Sequence, residues 1–146
     1  MTSLLTPDQA FRAGSTVALF CWAALALSPP SRRWTPVVWR LTGWAVPLAL
    51  GVLYVVLLVT HWGGPGGFGS LHDVQLLFSR PGPLAAGWLH YLAFDLFVGT
   101  WLARQAAESG VGHLWVLPCL LLTFLFGPAG LLTFAVIGAL HRRTRP

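Results

Sequence analysis

The sequence predicts an all-α protein, an integral membrane four-helix bundle whose fourth segment is kinked or broken at Gly127-Pro128. Composition is the first reason: 55% of the residues are hydrophobic and 9% are charged, whereas about 25% are charged in a typical soluble domain. The second reason is that no Asp, Glu, Lys or Arg occurs in residues 13–31, 41–60 and 109–141, and about 20 apolar residues suffice to cross a bilayer. We therefore expect a single membrane domain over residues 1–146 and exclude an ordinary soluble enzyme.

The positive charge of the chain is carried by arginine alone, and the formal net charge is +5. Most of the arginines lie where apolar runs end, which is typical of side chains that anchor a membrane protein at the lipid headgroups. A nucleic-acid-binding face needs basic residues clustered along one stripe. We therefore predict membrane lipids as partners and no nucleic acid. The arginines are Arg12, Arg32, Arg33, Arg40, Arg80, Arg104, Arg142, Arg143 and Arg145.

The first two membrane helices are predicted at about 8–28 and 36–61. Thr6 and Gln9 have the spacing of a capping box, with Pro7 at the first helical position. A signal peptide is the alternative interpretation of the first helix, because Ala24-Leu25-Ala26 resembles a cleavage site. In the second helix Pro47 predicts a kink, since proline lacks the backbone N–H that the helix needs.

A surface helix is predicted at about 70–79, inside the one long connection of the chain. Apolar residues recur there at helical spacing beside polar ones, which is typical of a helix lying at the membrane surface. The third and fourth membrane helices are predicted at about 84–105 and 113–140. The fourth run is too long for one straight crossing, so it must tilt, kink or re-enter.

The positions of the arginines predict how the protein is oriented across the membrane. Arg32, Arg33 and Arg40 lie in or near one short loop, which favours the cytoplasmic side for that loop, although the C-terminal arginines favour the opposite orientation. Both cysteines, Cys21 and Cys119, lie inside apolar runs and are interpreted as packed thiols.

Asp95 is the most informative residue, because it lies near the middle of the third helix, where an ionised carboxylate costs several kcal/mol. It must face the bundle interior, carry a proton or pair with another group. The structural alternative is a neutral Asp95 that ties two helices together through one hydrogen bond. His90 lies five residues earlier, about 140° away around the helix, whereas Tyr91 shares the Asp95 face.

The candidate catalytic residues are therefore Asp95, His90 and Tyr91, with Asp95 as acid, His90 as base and Tyr91 as an orienting hydroxyl. Aromatic side chains of the third and fourth helices are predicted as the apolar walls of a substrate-binding site. They are Trp88, Phe94, Phe97, Trp101, Phe124 and Phe126.

Histidine and carboxylate side chains are also suitable zinc or iron ligands. Five of them could converge beneath one membrane face, but their spacing matches no standard metal motif. We therefore predict neither a metal nor a cofactor. The five are His61, His72, Asp73, His90 and Asp95.

Two segments resemble the signatures of the abscisic-acid-deficient-four-like (neoxanthin-synthase-like) family. The first is Trp88–Gly99 followed by Trp101, and the second is Leu117–Gly130; the phrase Leu77-Phe78-Ser79 is also similar. The resemblance covers roughly residues 36–140. It implies a small four-helix membrane protein, and the Arg-rich, Lys-free chain points to the cytoplasmic membrane of a bacterium.

The resemblance also implies a reaction class. Plant members of the family are linked to neoxanthin formation, in which an epoxide of violaxanthin opens to an allene and an alcohol. Two functions are consistent with the sequence: an intramembrane isomerase or related enzyme that acts on a carotenoid or other polyisoprenoid, and a non-catalytic membrane protein. The second would bind a pigment or lipid, or scaffold a carotenoid synthase.

Overall fold

The computed structural model describes residues 6–143, without the side chains of Arg142 and Arg143. Within this range the chain forms helices and no strand, so the all-α prediction is confirmed. The six helices are α1 Pro7–Ala26, α2 Thr35–Thr60, α3 Leu71–Phe78, α4 Pro81–Ser109, α5 His113–Phe126 and α6 Pro128–Arg143. The C-terminal arginines that were interpreted as anchors lie outside the described side chains.

Helix α1 begins with the predicted capping box. The Gln9 backbone N–H donates to Thr6 Oγ1 at 3.2 Å, and the Thr6 N–H donates to Gln9 Oε1 at 3.0 Å. The two bonds satisfy backbone donors that a helix N-terminus otherwise leaves free. Arg12 forms an exposed ion pair with Asp8 at 2.9 Å.

Helix α2 contains a π-helical turn over Leu41–Ala45, which ends two residues before Pro47. A π-turn is one of the ways in which a helix accommodates an interruption of its regular hydrogen bonds. The irregularity that Pro47 predicts is therefore present as a local widening of the helix.

Helix α4 is the central element. It packs against α1, α2, α3, α5 and α6, and its inward residues are mostly small or aliphatic. The helix is longer than the predicted 84–105, because it begins at Pro81 and continues to Gly110, whose φ of +70° ends it. At the other end, Arg80 donates to the carbonyl oxygens of His61 at 2.5 Å and Pro65 at 3.3 Å.

The chain breaks at Gly127, between α5 and α6. Gly127 has a φ of +51°, which L side chains rarely adopt. Gly130 packs directly against Thr123 and the carbonyl oxygen of Cys119, so α5 and α6 approach closely. The Thr123 hydroxyl donates to the same carbonyl at 2.8 Å.

The prediction of four membrane crossings is not confirmed. Among the described residues, Thr35–Thr60 is the helix that is both long and apolar enough to cross a membrane, with a mean hydropathy of 2.1 in its most apolar window. Only 22% of that window is buried, so its apolar side chains point outward instead of forming a soluble core. The other apolar helices, His113–Phe126 and Pro128–His141, are shorter.

Candidate functional site

Helix α4 carries the candidate residues on two different faces. His90 points toward α2, where its ring lies beside Tyr54 at a centroid distance of 5.6 Å. Asp95 points toward the junction of α5 and α6, where its carboxyl lies against Gly127. The structure therefore separates the two predicted catalytic groups, as the 140° spacing on the helix requires.

The His90 face borders an apolar groove of about 650 Å³ between α2 and α4. His90 stacks on Phe94 at 4.6 Å between ring centroids, and the Tyr54 hydroxyl forms no hydrogen bond with another described residue. We call this cavity the groove. The groove is lined by Gly43, Trp44, Pro47, Leu48, Gly51, Val52, Tyr54, Val55, Val56, His90, Ala93, Phe94 and Phe97.

The π-turn of α2 lies at one end of the groove. The Thr100 hydroxyl is within 2.8 Å of Thr42 Oγ1 in a buried contact, and the Thr42 hydroxyl donates to the Val38 carbonyl at 2.9 Å. The Thr100–Thr42 contact joins the π-turn to α4, whereas the Thr42–Val38 bond lies within α2. The interhelical contact places Trp44 against Phe97, with the rings edge to face at 6.2 Å.

The Asp95 face is closely packed. A Cβ added at Gly127 would lie 3.1 Å from Asp95 Oδ1, and the buried Oδ2 has no hydrogen-bond partner among the described residues. Tyr91 lies close enough to interact electrostatically with Asp95, and its hydroxyl donates to the Phe124 carbonyl at 3.1 Å. The cross-helix hydrogen bond at this point is thus made by Tyr91. We call Asp95, Tyr91 and Gly127 the break site.

The predicted wall residues divide between these two faces. Phe94 and Phe97 line the groove, whereas Phe124 packs against Trp22 at 5.6 Å on the break side. Phe126 is 65% exposed and lines no part of the groove.

The two predicted tryptophans have other neighbours. The Trp88 indole N–H donates to Ser15 Oγ at 2.9 Å, and its ring packs against Phe11 and Tyr91 at 5.4 and 5.5 Å. Trp101 contacts Phe134 of α6 at 6.3 Å. One groove therefore contains only part of the predicted substrate-binding set.

The sequence analysis missed Tyr54. It is one of two tyrosines in the chain and lies inside the charge-free run of α2. A polar hydroxyl in such a run is the signal that could have identified it, because intramembrane polar groups mark functional or helix-joining positions.

The polar residues of the connecting loop do not converge with His90 and Asp95. His61 Nδ1 lies near the Thr60 hydroxyl and the Leu57 carbonyl, and Asp73 Oδ2 accepts from Ser70 at 2.7 Å. Within residues 6–143, no three His, Cys, Asp or Glu side chains are grouped closely enough to hold a metal ion.

The comparison with known families agrees with the motifs on α4 and α5. The sequence profile described as ABA DEFICIENT 4-like matches residues 9–134, which include the groove and the break site. No curated protein and no solved structure matches the chain. The family predicted from the two motifs is confirmed: the chain belongs to the ABA DEFICIENT 4-like family.

Proposed function

We propose that the chain is an integral membrane protein of a bacterial cytoplasmic membrane, with α1, α2, α4 and the broken α5–α6 pair as its four membrane segments. The large number of outward apolar side chains supports this proposal, because soluble monomers rarely expose large continuous apolar patches. Exposed apolar side chains that do not line the groove include Val37, Leu41 and Val59 of α2, and Leu132 and Val136 of α6.

We further propose that the protein is an intramembrane isomerase of a carotenoid or other polyisoprenoid, held in the groove. The observation that carries this proposal is that His90 and Tyr54 lie side by side in an otherwise apolar groove. A few polar groups in an apolar cavity are the usual composition of a small-molecule site. Phe94 and Phe97 supply flat surfaces against which a polyene can pack.

The reaction class fits general acid–base chemistry. In the opening of an epoxide to an allene and an alcohol, an acid protonates the epoxide oxygen as the C–O bond breaks. A base removes the proton from the neighbouring carbon, and the C–H electron pair becomes the new π bond. Substrate and product have the same composition, so the reaction requires no redox cofactor. Positioned acids and bases typically contribute about 10²–10⁴-fold to such steps.

The groove provides one base and one acid for these steps. A neutral His90 would take the carbon-bound proton, and the Tyr54 hydroxyl would donate to the oxygen. The competing assignment makes Asp95 the acid, oriented by Tyr91, as the sequence analysis predicted. The unpartnered Oδ2 favours a functional role for Asp95, since buried polar atoms without partners are rare and costly.

A non-catalytic function is the second candidate. It is favoured if Asp95, and not Tyr54, is the required acid, because α4 separates His90 from Asp95 and an acid and a base that act together must reach the same substrate. In that function the groove would hold a pigment or lipid without changing it.

The deciding experiment is expression in a carotenoid-producing host, followed by chromatography of the pigments bound to the purified protein. We expect the wild type to yield an isomer that is absent from the host alone. His90→Gln should retain bound pigment but lose at least 100-fold in conversion, the lower range of acid–base effects. The matched control is His72→Gln, on the exposed side of α3, which should convert normally.

If the wild type binds the pigment of a host that supplies the substrate and does not change it, the isomerase proposal is rejected and the non-catalytic binding function is kept. Absence of any bound pigment or polyisoprenoid would contradict both candidates.

A further inference from the structure

The groove does not end at the π-turn. A second cavity of about 260 Å³ begins there and shares Gly43, Trp44 and Phe97 with the groove. We call this cavity the cleft. Its lining also includes Thr100, Trp101, Arg104, Gln105 and Glu108.

The two cavities together follow α4 over most of the depth of a bilayer. Their lining on α4 extends from His90 to Glu108, which is about 27 Å at 1.5 Å per residue. The hydrocarbon core of a bilayer is roughly 30 Å thick. One elongated ligand can therefore occupy both, with its chain in the groove and one end in the cleft.

The cleft differs from the groove in its chemistry. Arg104 offers hydrogen-bond donors and Glu108 offers acceptors. Gln105 offers both, although its amide nitrogen also donates to Ser109 Oγ at 3.4 Å. Arg104 and Glu108 are four residues apart on the helix, yet they form no ion pair with each other; the ion pair among the described side chains is that of Arg12 and Asp8. Their polar ends therefore remain able to bind a ligand.

The charges of the cleft lining cancel, one positive and one negative. A phosphate or carboxylate bound there would meet the Glu108 carboxylate as well as Arg104, and like charges at short range are unfavourable. Arg40, two residues before Thr42, is not part of the lining. An uncharged group that both donates and accepts a hydrogen bond, such as an alcohol, fits this set of side chains.

We propose that the groove and the cleft form one binding site for an isoprenoid lipid whose end group is an uncharged alcohol, bound between Arg104 and Glu108. This proposal rests on the proposed function, because it places the polyisoprenoid chain in the groove. It adds Arg104, Gln105 and Glu108 as the residues that select the end group.

The Trp44–Phe97 pair lies where the groove meets the cleft. The isoprenoid chain of the ligand would pass from one cavity into the other at this point. The buried Thr100–Thr42 contact holds the π-turn against α4 at the same level. A Cβ at Gly43 would lie 3.0 Å from Thr100 Cγ2, so glycine permits this close approach of the two helices.

The test uses four probes and the full-length protein in detergent micelles. Retinol, its methyl ether and retinoic acid share one polyene and differ in the end group, and β-carotene has no polar end. The three retinoids absorb near the emission of tryptophan, so quenching of tryptophan fluorescence reports their binding. β-Carotene absorbs visible light, so its binding is measured from the absorbance that co-elutes with the protein in gel filtration. The variants are Arg104→Ala, Glu108→Ala and the groove-filling Val52→Trp; Arg12→Ala is the matched arginine control outside both cavities.

We expect the wild type to bind retinol about tenfold more tightly than the ether or the acid, the equivalent of about one hydrogen bond. Arg104→Ala and Glu108→Ala should each abolish that preference and leave β-carotene binding within about twofold of the wild type, because β-carotene lacks the end group. Arg12→Ala should keep the preference.

Two results would overturn the proposal while leaving the proposed function intact. One is tightest binding of retinoic acid, which would mean that the cleft selects an anion. The other is equal binding of the three retinoids with no effect of the cleft variants. If Val52→Trp leaves the binding of all four probes unchanged, the groove is not the binding site, and the proposed function fails as well.

Discussion

The two faces of α4 differ in how closely their polar side chains are packed and in the hydrogen bonds that these side chains form. On the groove face, His90 and Tyr54 lie in an open apolar channel, and the Tyr54 hydroxyl is unbonded to the described residues. On the break face, Asp95 is packed against the backbone of Gly127, and Tyr91 is bonded to the Phe124 carbonyl. The groove face therefore leaves open space beside its polar groups, whereas the break face consists of close backbone contacts that leave little space.

This difference bears on the role of Asp95. A residue that ties helices together satisfies its polar atoms by doing so, yet Asp95 Oδ2 has no partner and the cross-helix bond comes from Tyr91. An unsatisfied buried polar atom costs about 1–3 kcal/mol. Among the described residues this carboxyl makes no hydrogen bond to another helix, and the helix-tie interpretation stays a prediction that Asp95→Leu tests.

The largest expected effect is on catalytic conversion, which should depend on the groove face and not on the break face. If the groove holds the complete reaction, Tyr54→Phe should lower conversion at least 100-fold, because it removes the acid while keeping the ring. Asp95→Asn, which keeps the size of the side chain, should then convert within about threefold of the wild type. The measurement is product formed per bound pigment. Full activity of Tyr54→Phe together with an inactive, folded Asp95→Asn would return the acid role to Asp95.

A pair of glycines gives the next largest effect. Gly130→Ala should destabilise the protein by about 1–3 kcal/mol, because the new methyl group would overlap the Cys119 carbonyl oxygen, which cannot move without shifting α5. Gly51→Ala on the groove face meets no atom within 4 Å, so it should stabilise α2 by about 0.5–1 kcal/mol through helix propensity.

The free energies of unfolding of both glycine variants would be measured by denaturant titration in micelles. Equal destabilisation by the two substitutions would contradict the contrast between a packed and an open face.

The substitution Asp95→Leu tests whether the Asp95 carboxyl stabilises the break face, and it does so without replacing a glycine. Removal of an unsatisfied polar atom should leave the free energy of unfolding unchanged or raise it by about 1 kcal/mol, with conversion measured in parallel. A loss of 2 kcal/mol or more would show that the carboxyl stabilises the fold, which would restore the helix-tie interpretation.

The sequence could predict the helices because their ends are marked by local chemistry. The Thr6–Gln9 capping box and Gly127-Pro128 each act within a few residues of the chain. The separation of His90 from Asp95 also follows from helix geometry alone. The α-helical class was therefore predictable from local chemistry, whereas the family was predictable from the resemblance of Trp88–Gly99 and Leu117–Gly130 to known signatures.

Tyr54, the π-turn and the cleft were harder to predict, since they depend on which helix packs beside α4 and in which register. Nothing local in α2 identifies Trp44 as a neighbour of Phe97. The number of crossings was also hard to predict, because hydropathy indicates a membrane helix only by its length and composition. In the part of the chain that the structure describes, one helix is both long and apolar enough.

The smallest expected effect concerns the junction that joins α2 to the groove face. Thr100→Val keeps the shape of the side chain and removes its buried hydroxyl contact with Thr42. Such interhelical bonds contribute about 0.6 kcal/mol on average between membrane helices, so we expect a loss of about that size. Thr133→Val is the control, because the Thr133 hydroxyl bonds only within its own helix, to the Ala129 carbonyl. Retinol affinity should fall with Thr100→Val and not with Thr133→Val, since Trp44 and Phe97 meet at the level of Thr100. If both variants lose the same stability and neither changes affinity, the threonine contact does not position the groove, and the π-turn is only the accommodation of Pro47.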